Sequence, residues 1–243
     1  MRSRMMVMVC VIMCMACSFR VPAYLTPKPK IINHTQPALS VDTSPFEKAG
    51  CSKDSGYWRC PEGTQLKALG CDFIEADNLL GGLSPAYPML LCKTRLTRSP
   101  DDTQKQDYLY RDGCLVADLV RLVIYMNGQY QLIRTLDELK AAFAPVDTPD
   151  EALSYALAAT GLTPIFGFKV ESSYRYFVSS LEDTHMTDSS DGYHINLYDR
   201  QFCGCGPHPF FKTDVIVGKD GSIKLSERQS IYENPAEDKL CVD

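Results

Sequence analysis

The sequence predicts an α+β domain: an antiparallel β-meander with two short helices packed on it, preceded by a disulfide-rich loop region. Three observations predict it. Asn127-Gly128 separates two β-rich runs, capping signals at Thr135 and Thr148 open two short helices, and alternating aromatic and aliphatic residues fill the last third of the chain. Helices followed by a run of strands bury their apolar faces as one layer on another.

The front of the chain sets the compartment. Residues 1–23 read as an export signal: Arg2 and Arg4 precede an unbroken apolar run over 5–17, and Val21-Pro22-Ala23 offers small side chains to a signal peptidase. The run is shorter than the ~20 residues a membrane-spanning helix needs. Ala16-Cys17 supports a second reading, a lipoprotein signal over 1–16 with Cys17 as the acylated residue. Either route places the protein outside the cytoplasm, as a secreted, periplasmic or lipid-anchored chain whose membrane contact is the N-terminal lipid alone. Cleavage after residue 23 removes three arginines and no acid, leaving 22 basic residues against 30 acidic ones and moving the net charge from −5 to −8. That balance excludes the electrostatic footprint of a nucleic-acid binder. The expected partner is a protein or a small-molecule ligand, and no cofactor is expected.

Residues 24–50 read as a disordered linker. Pro27, Pro29, Pro37 and Pro45 sit among threonines and serines without helical or strand periodicity. Such a stretch buries too little apolar surface to offset the entropy of ordering it. Asn33-His34-Thr35 forms a glycosylation sequon, relevant only in a eukaryotic secretory route. A single domain over 51–243 remains.

Of the 11 cysteines, Cys10, Cys14 and Cys17 fall in the signal. The others are Cys51, Cys60, Cys71, Cys92, Cys114, Cys203, Cys205 and Cys241, an even set that predicts four disulfides in an exported chain. Eight cysteines permit about 105 pairings, so connectivity stays open. Parity still constrains it: five lie between 51 and 114, so at least one joins Cys203, Cys205 or Cys241.

The elements follow in order. Gly56, Gly63, Gly70, Gly81-Gly82 and Pro61 punctuate the loop-rich stretch 51–114, with a strand expected over 87–96 and a polar surface loop over 99–106. Asn127-Gly128 accepts positive φ at both turn positions, so 119–126 and 129–134 form a type I′ hairpin. Thr135-Leu-Asp-Glu138 and Thr148-Pro-Asp-Glu151 are capping boxes, the second with proline at the first helical position. Leu136, Leu139, Ala142 and Phe143 share one face of the first helix. Ala152, Leu153, Ala156, Leu157 and Ala159 form the buried stripe of the second, which Gly161 stops. Strands are then expected over 166–179, 193–202, 211–217 and 223–232, with a solvated acidic loop over 181–190 and a turn at 218–221. Along 193–202, Tyr193, Ile195 and Leu197 fall on one face and His194, Asn196 and Tyr198 on the other. Cys241 ties down the C-terminal tail.

Reactive side chains crowd most densely in Phe202-Cys-Gly-Cys-Gly-Pro-His-Pro-Phe-Phe211. Three readings fit Cys203, Cys205 and His208: structural bridges to distant cysteines, a reactive C-x-C disulfide, or a thiolate–imidazole site for Cu(I) or Zn. Parity favours the first. His185, His194 and His208 offer a second grouping in the last third. The carboxylates over 182–191 lack the spacing of an EF-hand calcium loop. The chain has no G-x-S-x-G, H-E-x-x-H, P-loop or dinucleotide-binding glycine motif. The functional expectation is an exported, disulfide-stabilised binding or interaction protein of unknown ligand. The alternative is an extracytoplasmic thiol–disulfide or metal-handling protein using Cys203, Cys205 and His208.

Overall fold

The computed structural model describes residues 27–54, 56–96 and 107–243. The export signal over 1–23, Cys17 with it, and the loop expected over 99–106 lie outside the described residues. Among the described residues the chain runs β1 (Lys30–Ile32), α1 (Ser44–Lys48), β2 (Ser52–Asp54), β3 (Tyr57–Arg59), α2 (Gln65–Ala68), β4 (Phe73–Glu75), β5 (Met89–Arg95) and β6 (Tyr110–Asp112). The hairpin β7 (Asp118–Met126) and β8 (Gln129–Ile133) comes next, followed by α3 (Leu136–Phe143) and α4 (Pro149–Thr160). The last third holds β9 (Arg175–Tyr176), β10 (Ser180–Glu182), β11 (Met186–Ser189), β12 (Gly192–Arg200), β13 (Gly204–Cys205), β14 (Phe210–Val217), β15 (Ile223–Leu225), β16 (Gln229–Glu233) and β17 (Cys241–Val242).

Two antiparallel sheets dominate. The first has the order β2-β3-β4-β5-β7-β6 with β8 also on β7, and the second the order β11-β12-β14-β16-β9 with β15 also on β14. The fold is α+β with four disulfides: Cys51–Cys60, Cys71–Cys92, Cys114–Cys203 and Cys205–Cys241. Cys114–Cys203 is the crossing bridge that parity requires. The β7–β8 turn has the predicted chemistry, with φ of 53° at Asn127 and 79° at Gly128.

One core cluster draws on both sheets. Met89, Leu91, Val120, Leu122 and Ile124 come from the first, Tyr193, Ile195, Leu197, Val215 and Val217 from the second, and α4 runs through the core they share. Both helix starts follow the expected capping logic. The Thr135 and Thr148 hydroxyls accept from the Glu138 and Glu151 amides, while those two carboxylates accept from the Arg134 and Asp147 amides. Helix α4 differs from expectation in being buried along all of 151–159, not on a stripe. Its polar groups are satisfied accordingly. Ser154 accepts from the Gly82 amide at 3.0 Å, and the Tyr155 hydroxyl donates to the Gly221 carbonyl at 3.0 Å. At Gly82 a side chain is excluded, because a Cβ there would lie 2.4 Å from the Asp150 carbonyl oxygen.

Four expectations need correction. Of the stretch read as a linker over 24–50, residues 27–50 are described and are built into the fold. β1 pairs in parallel with β10, and α1 inserts Phe46, fully buried, into a second core cluster with Leu66, Ile74, Leu90 and Val123. Composition misleads here because the few apolar side chains present are the ones inserted. The solvated loop expected over 181–190 instead supplies β10 and β11, with Asp183 and Thr184 buried between them. The strand expected over 166–179 shrinks to β9. Phe168, Tyr174 and Tyr176 join a third cluster with Tyr198, Leu181 and Ile231, and the Phe168 and Glu171 amides turn to side-chain acceptors in place of a neighbouring strand. The strand expected over 223–232 divides into β15 and β16.

If residues 27–50 are structural, Phe46→Ala removes a fully buried aromatic and destabilises the protein by about 3–5 kcal/mol. Chemical denaturation of the oxidised chain measures this, and a neutral result would return the segment to the status of a linker.

Candidate functional site

The candidate site forms on the face of the second sheet turned away from α4. Strand alternation sends Tyr193, Ile195 and Leu197 into the core and presents His194, Asn196 and Tyr198 on the opposite side. Their cross-strand partners on β14 are Ile216, Asp214 and Lys212. Two hollows open over this face. One of about 370 Å³ is walled by β10 with Tyr198, Lys212, Gln229 and Ile231. The other, about 380 Å³, is walled by Glu182, His185, Thr187, His194, Asn196 and Asp214. Glu182 and Lys212 line both, so the two meet there as one polar groove.

The connection from β10 to β11 is the rigid wall of that groove, and Asn196 holds most of it. Its buried side chain accepts from the His185 amide at 2.8 Å and donates to the Asp183 carbonyl at 3.1 Å and to the Tyr198 hydroxyl at 2.8 Å. Tyr198 in turn donates to the Glu182 carbonyl. Burial pushes the Tyr198 hydroxyl far above its ordinary range, which keeps it a donor. Thr184 closes the far side, its amide donating to the Ile165 carbonyl and its hydroxyl accepting from the Ile165 amide.

Asp183 ties the N-terminal segment to this wall. Its carboxylate accepts from the amides of Phe168 at 3.1 Å and His34 at 3.2 Å, and its own amide donates to the Ile32 carbonyl at 2.8 Å. Burial pushes the Asp183 carboxyl up, but the amides of Gly167, Phe168 and His34 outweigh it and hold the group below the usual carboxylate range. His34 is thereby delivered to the groove rim. Its ring stacks on that of His185 with centroids 4.4 Å apart and planes 15° apart, and its Nε2 lies 3.1 Å from Glu182 Oε1. His185 Nδ1 lies 3.7 Å from the same oxygen.

The grouping read from sequence as His185, His194 and His208 does not assemble. His194 pairs with Asp191 at 2.8 Å, and His208 is buried with its ring nitrogens 3.0 and 3.1 Å from the Gln201 and Leu240 carbonyls. Cys203 and Cys205 are not bonded to one another. Each sulfur is occupied in a bridge to a distant cysteine, so the thiolate pair that a C-x-C redox or metal site with His208 requires is not present in this structure. The 202–211 stretch is a staple: β13 pairs with β17, and the Gly206 amide donates to the Leu240 carbonyl at 2.7 Å.

Sequence reasoning missed His34 and Glu182. The available signals were Ile31-Ile32, a β-forming pair that ends two residues before His34, and Glu182-x-x-His185, which places a carboxylate and an imidazole three residues apart. A smaller hollow of about 200 Å³ lies at the first sheet, where Lys93 pairs with Glu75 at 2.8 Å and Asp112 at 3.0 Å. Comparison with protein-family models, with curated proteins and with solved structures finds no match.

Asp183→Asn keeps the shape but places an amide donor where backbone amides need acceptors. Losing charge-assisted bonds predicts a destabilisation of about 1.5–3 kcal/mol near neutral pH. The wild-type carboxylate contributes fully above ~3.9, the value of an unfolded aspartate, and loses that contribution as pH falls through its lower folded value. Denaturation across a pH series should therefore show the deficit of the variant shrinking in acid. A deficit independent of pH would remove the carboxylate from this role.

Proposed function

We propose that the protein is an exported, disulfide-stapled binding module whose ligand is a small polar molecule held in the groove over β12 and β14. The observation that carries this reading is the meeting of two hollows, each of small-molecule size, at Glu182 and Lys212 on a sheet face lined by polar side chains. Lys212 and Asp214, 3.3 Å apart, put both signs of charge on the groove floor, and Gln229 adds a neutral hydrogen-bonding group. Such a lining suits a ligand with both donors and acceptors. Export is supported by the N-terminal signal pattern and by the four bridges, which persist in oxidising compartments. Among the described residues no helix is long and apolar enough to cross a membrane. Attachment through a lipid on Cys17 is the second form of the export reading, and the spacing of that cysteine at the end of the apolar run supports it.

A panel of amino acids, sugars and small carboxylates titrated into the isotope-labelled chain tests the reading by NMR. Ligands should shift Tyr198, Lys212 and Gln229, and Lys212→Ala should weaken their binding by about tenfold or more, as expected when a charge-assisted hydrogen bond is lost. Ligands that map elsewhere, or bind Lys212→Ala as tightly as wild type, would move the binding face off this sheet.

A further inference from the structure

We propose that His34, Glu182 and His185 bind one late first-row divalent transition-metal ion of the Zn²⁺ class at the rim of the groove. The proposal goes beyond the groove reading and does not rest on it, since these three residues would hold an ion whether or not an organic ligand occupies the groove.

The geometry points to a shared cation. One ligand atom from each of the three side chains lies within 4.8 Å of the other two. In a tetrahedral zinc site with ligands at 2.0–2.2 Å, neighbouring ligand atoms stand roughly 3.3 Å apart. The pairs His34 Nε2–Glu182 Oε1 at 3.1 Å and His185 Nδ1–Glu182 Oε1 at 3.7 Å bracket that value. His185 Nδ1 also has a long contact of 3.4 Å to the Asp183 carbonyl, which a metal–nitrogen bond would replace.

The donor set narrows the ion. Two imidazoles and one carboxylate match the ligand types of three-residue zinc sites that leave a fourth position to water. Imidazole selects zinc, copper, nickel and iron over calcium and magnesium, which take six or more oxygen ligands. The three side chains are 29–35 % exposed, open enough for an ion to enter yet held on built backbone.

Outer partners fix each ligand. Asp183 holds the His34 amide, Asn196 holds the His185 amide, and Tyr198 holds the Glu182 carbonyl. Such partners set ligand orientation in metal sites. The ion would also bridge the segment carrying β1 to the β10–β11 connection. Because it binds only the assembled form, it would stabilise that junction in proportion to its occupancy.

The full oxidised chain, stripped with a chelator and titrated with Zn²⁺ alone by calorimetry, tests the proposal. One ion per chain is expected, with a rise in melting temperature and, on Co²⁺ substitution, visible absorption of a tetrahedral site. His34→Ala and His185→Ala should each weaken binding by ~100-fold or more, at or beyond the 10–100-fold typical of losing an outer partner. Glu182→Gln should weaken it by at least about tenfold. Asp191→Ala removes the other imidazole–carboxylate contact and should leave uptake unchanged. Circular dichroism verifies the fold of each variant, and where an alanine variant does not fold, His34→Gln and His185→Gln decide the question in its place. The proposal is overturned by the lack of saturable one-to-one Zn²⁺ uptake, or by uptake that survives loss of both histidines.

Discussion

The attachment of the N-terminal segment to the groove depends on the junction made by the buried carboxylate of Asp183. A charged group taken out of water is costly unless strong partners replace the solvent. Here backbone amides replace it, and they come from two distant segments, Phe168 on one side and His34 on the other. The three-residue pairing of β1 with β10 has little stability alone, since a two-stranded ribbon is marginal in water. The carboxylate converts that weak pairing into a fixed contact, and Ile31 adds apolar packing beside Leu181. His34 stands at the rim only because this junction holds.

The disulfides act on a different scale. Two of them close short loops within the first sheet, where the strands β2 to β4 are only three residues each. Cys114–Cys203 spans 89 residues and ties the first sheet's edge to the strand leaving the second. On the chain-entropy model a loop of that length is worth on the order of 4–5 kcal/mol. Cys205–Cys241 then secures the tail against the same stretch. The cluster of cysteines and histidine that looks most reactive in sequence is therefore the place where three parts of the chain are joined.

What was legible in the sequence is what local chemistry determines. Asn127-Gly128 specifies its turn through positive φ, Thr135 and Thr148 specify helix starts through their hydroxyls, and cysteine parity specifies a crossing bridge. The alternation along β12 also assigned Asn196 and Tyr198 to the face that bears the site. What was not legible is long-range. Nothing near Lys30 encodes its parallel pairing with Ser180, and nothing in a run of acidic residues distinguishes a buried Asp183 from its solvated neighbours. Helix α4 shows the same limit in milder form: its small residues permit close approach on every side, but only the second sheet and the short 3₁₀ helix Asn78–Gly82 decide that both sides are covered.

Native-state hydrogen exchange at the junction amides tests the central claim most directly. The amides of Lys30, His34 and Asp183 donate to Ser179, Asp183 and Ile32 respectively. If the N-terminal segment is an integral part of the site, these amides exchange as slowly as those in the middle of β12, through global unfolding. Exchange at the rate of an unstructured peptide, with β12 still protected, would show that the segment is detached and that His34 does not belong to the site.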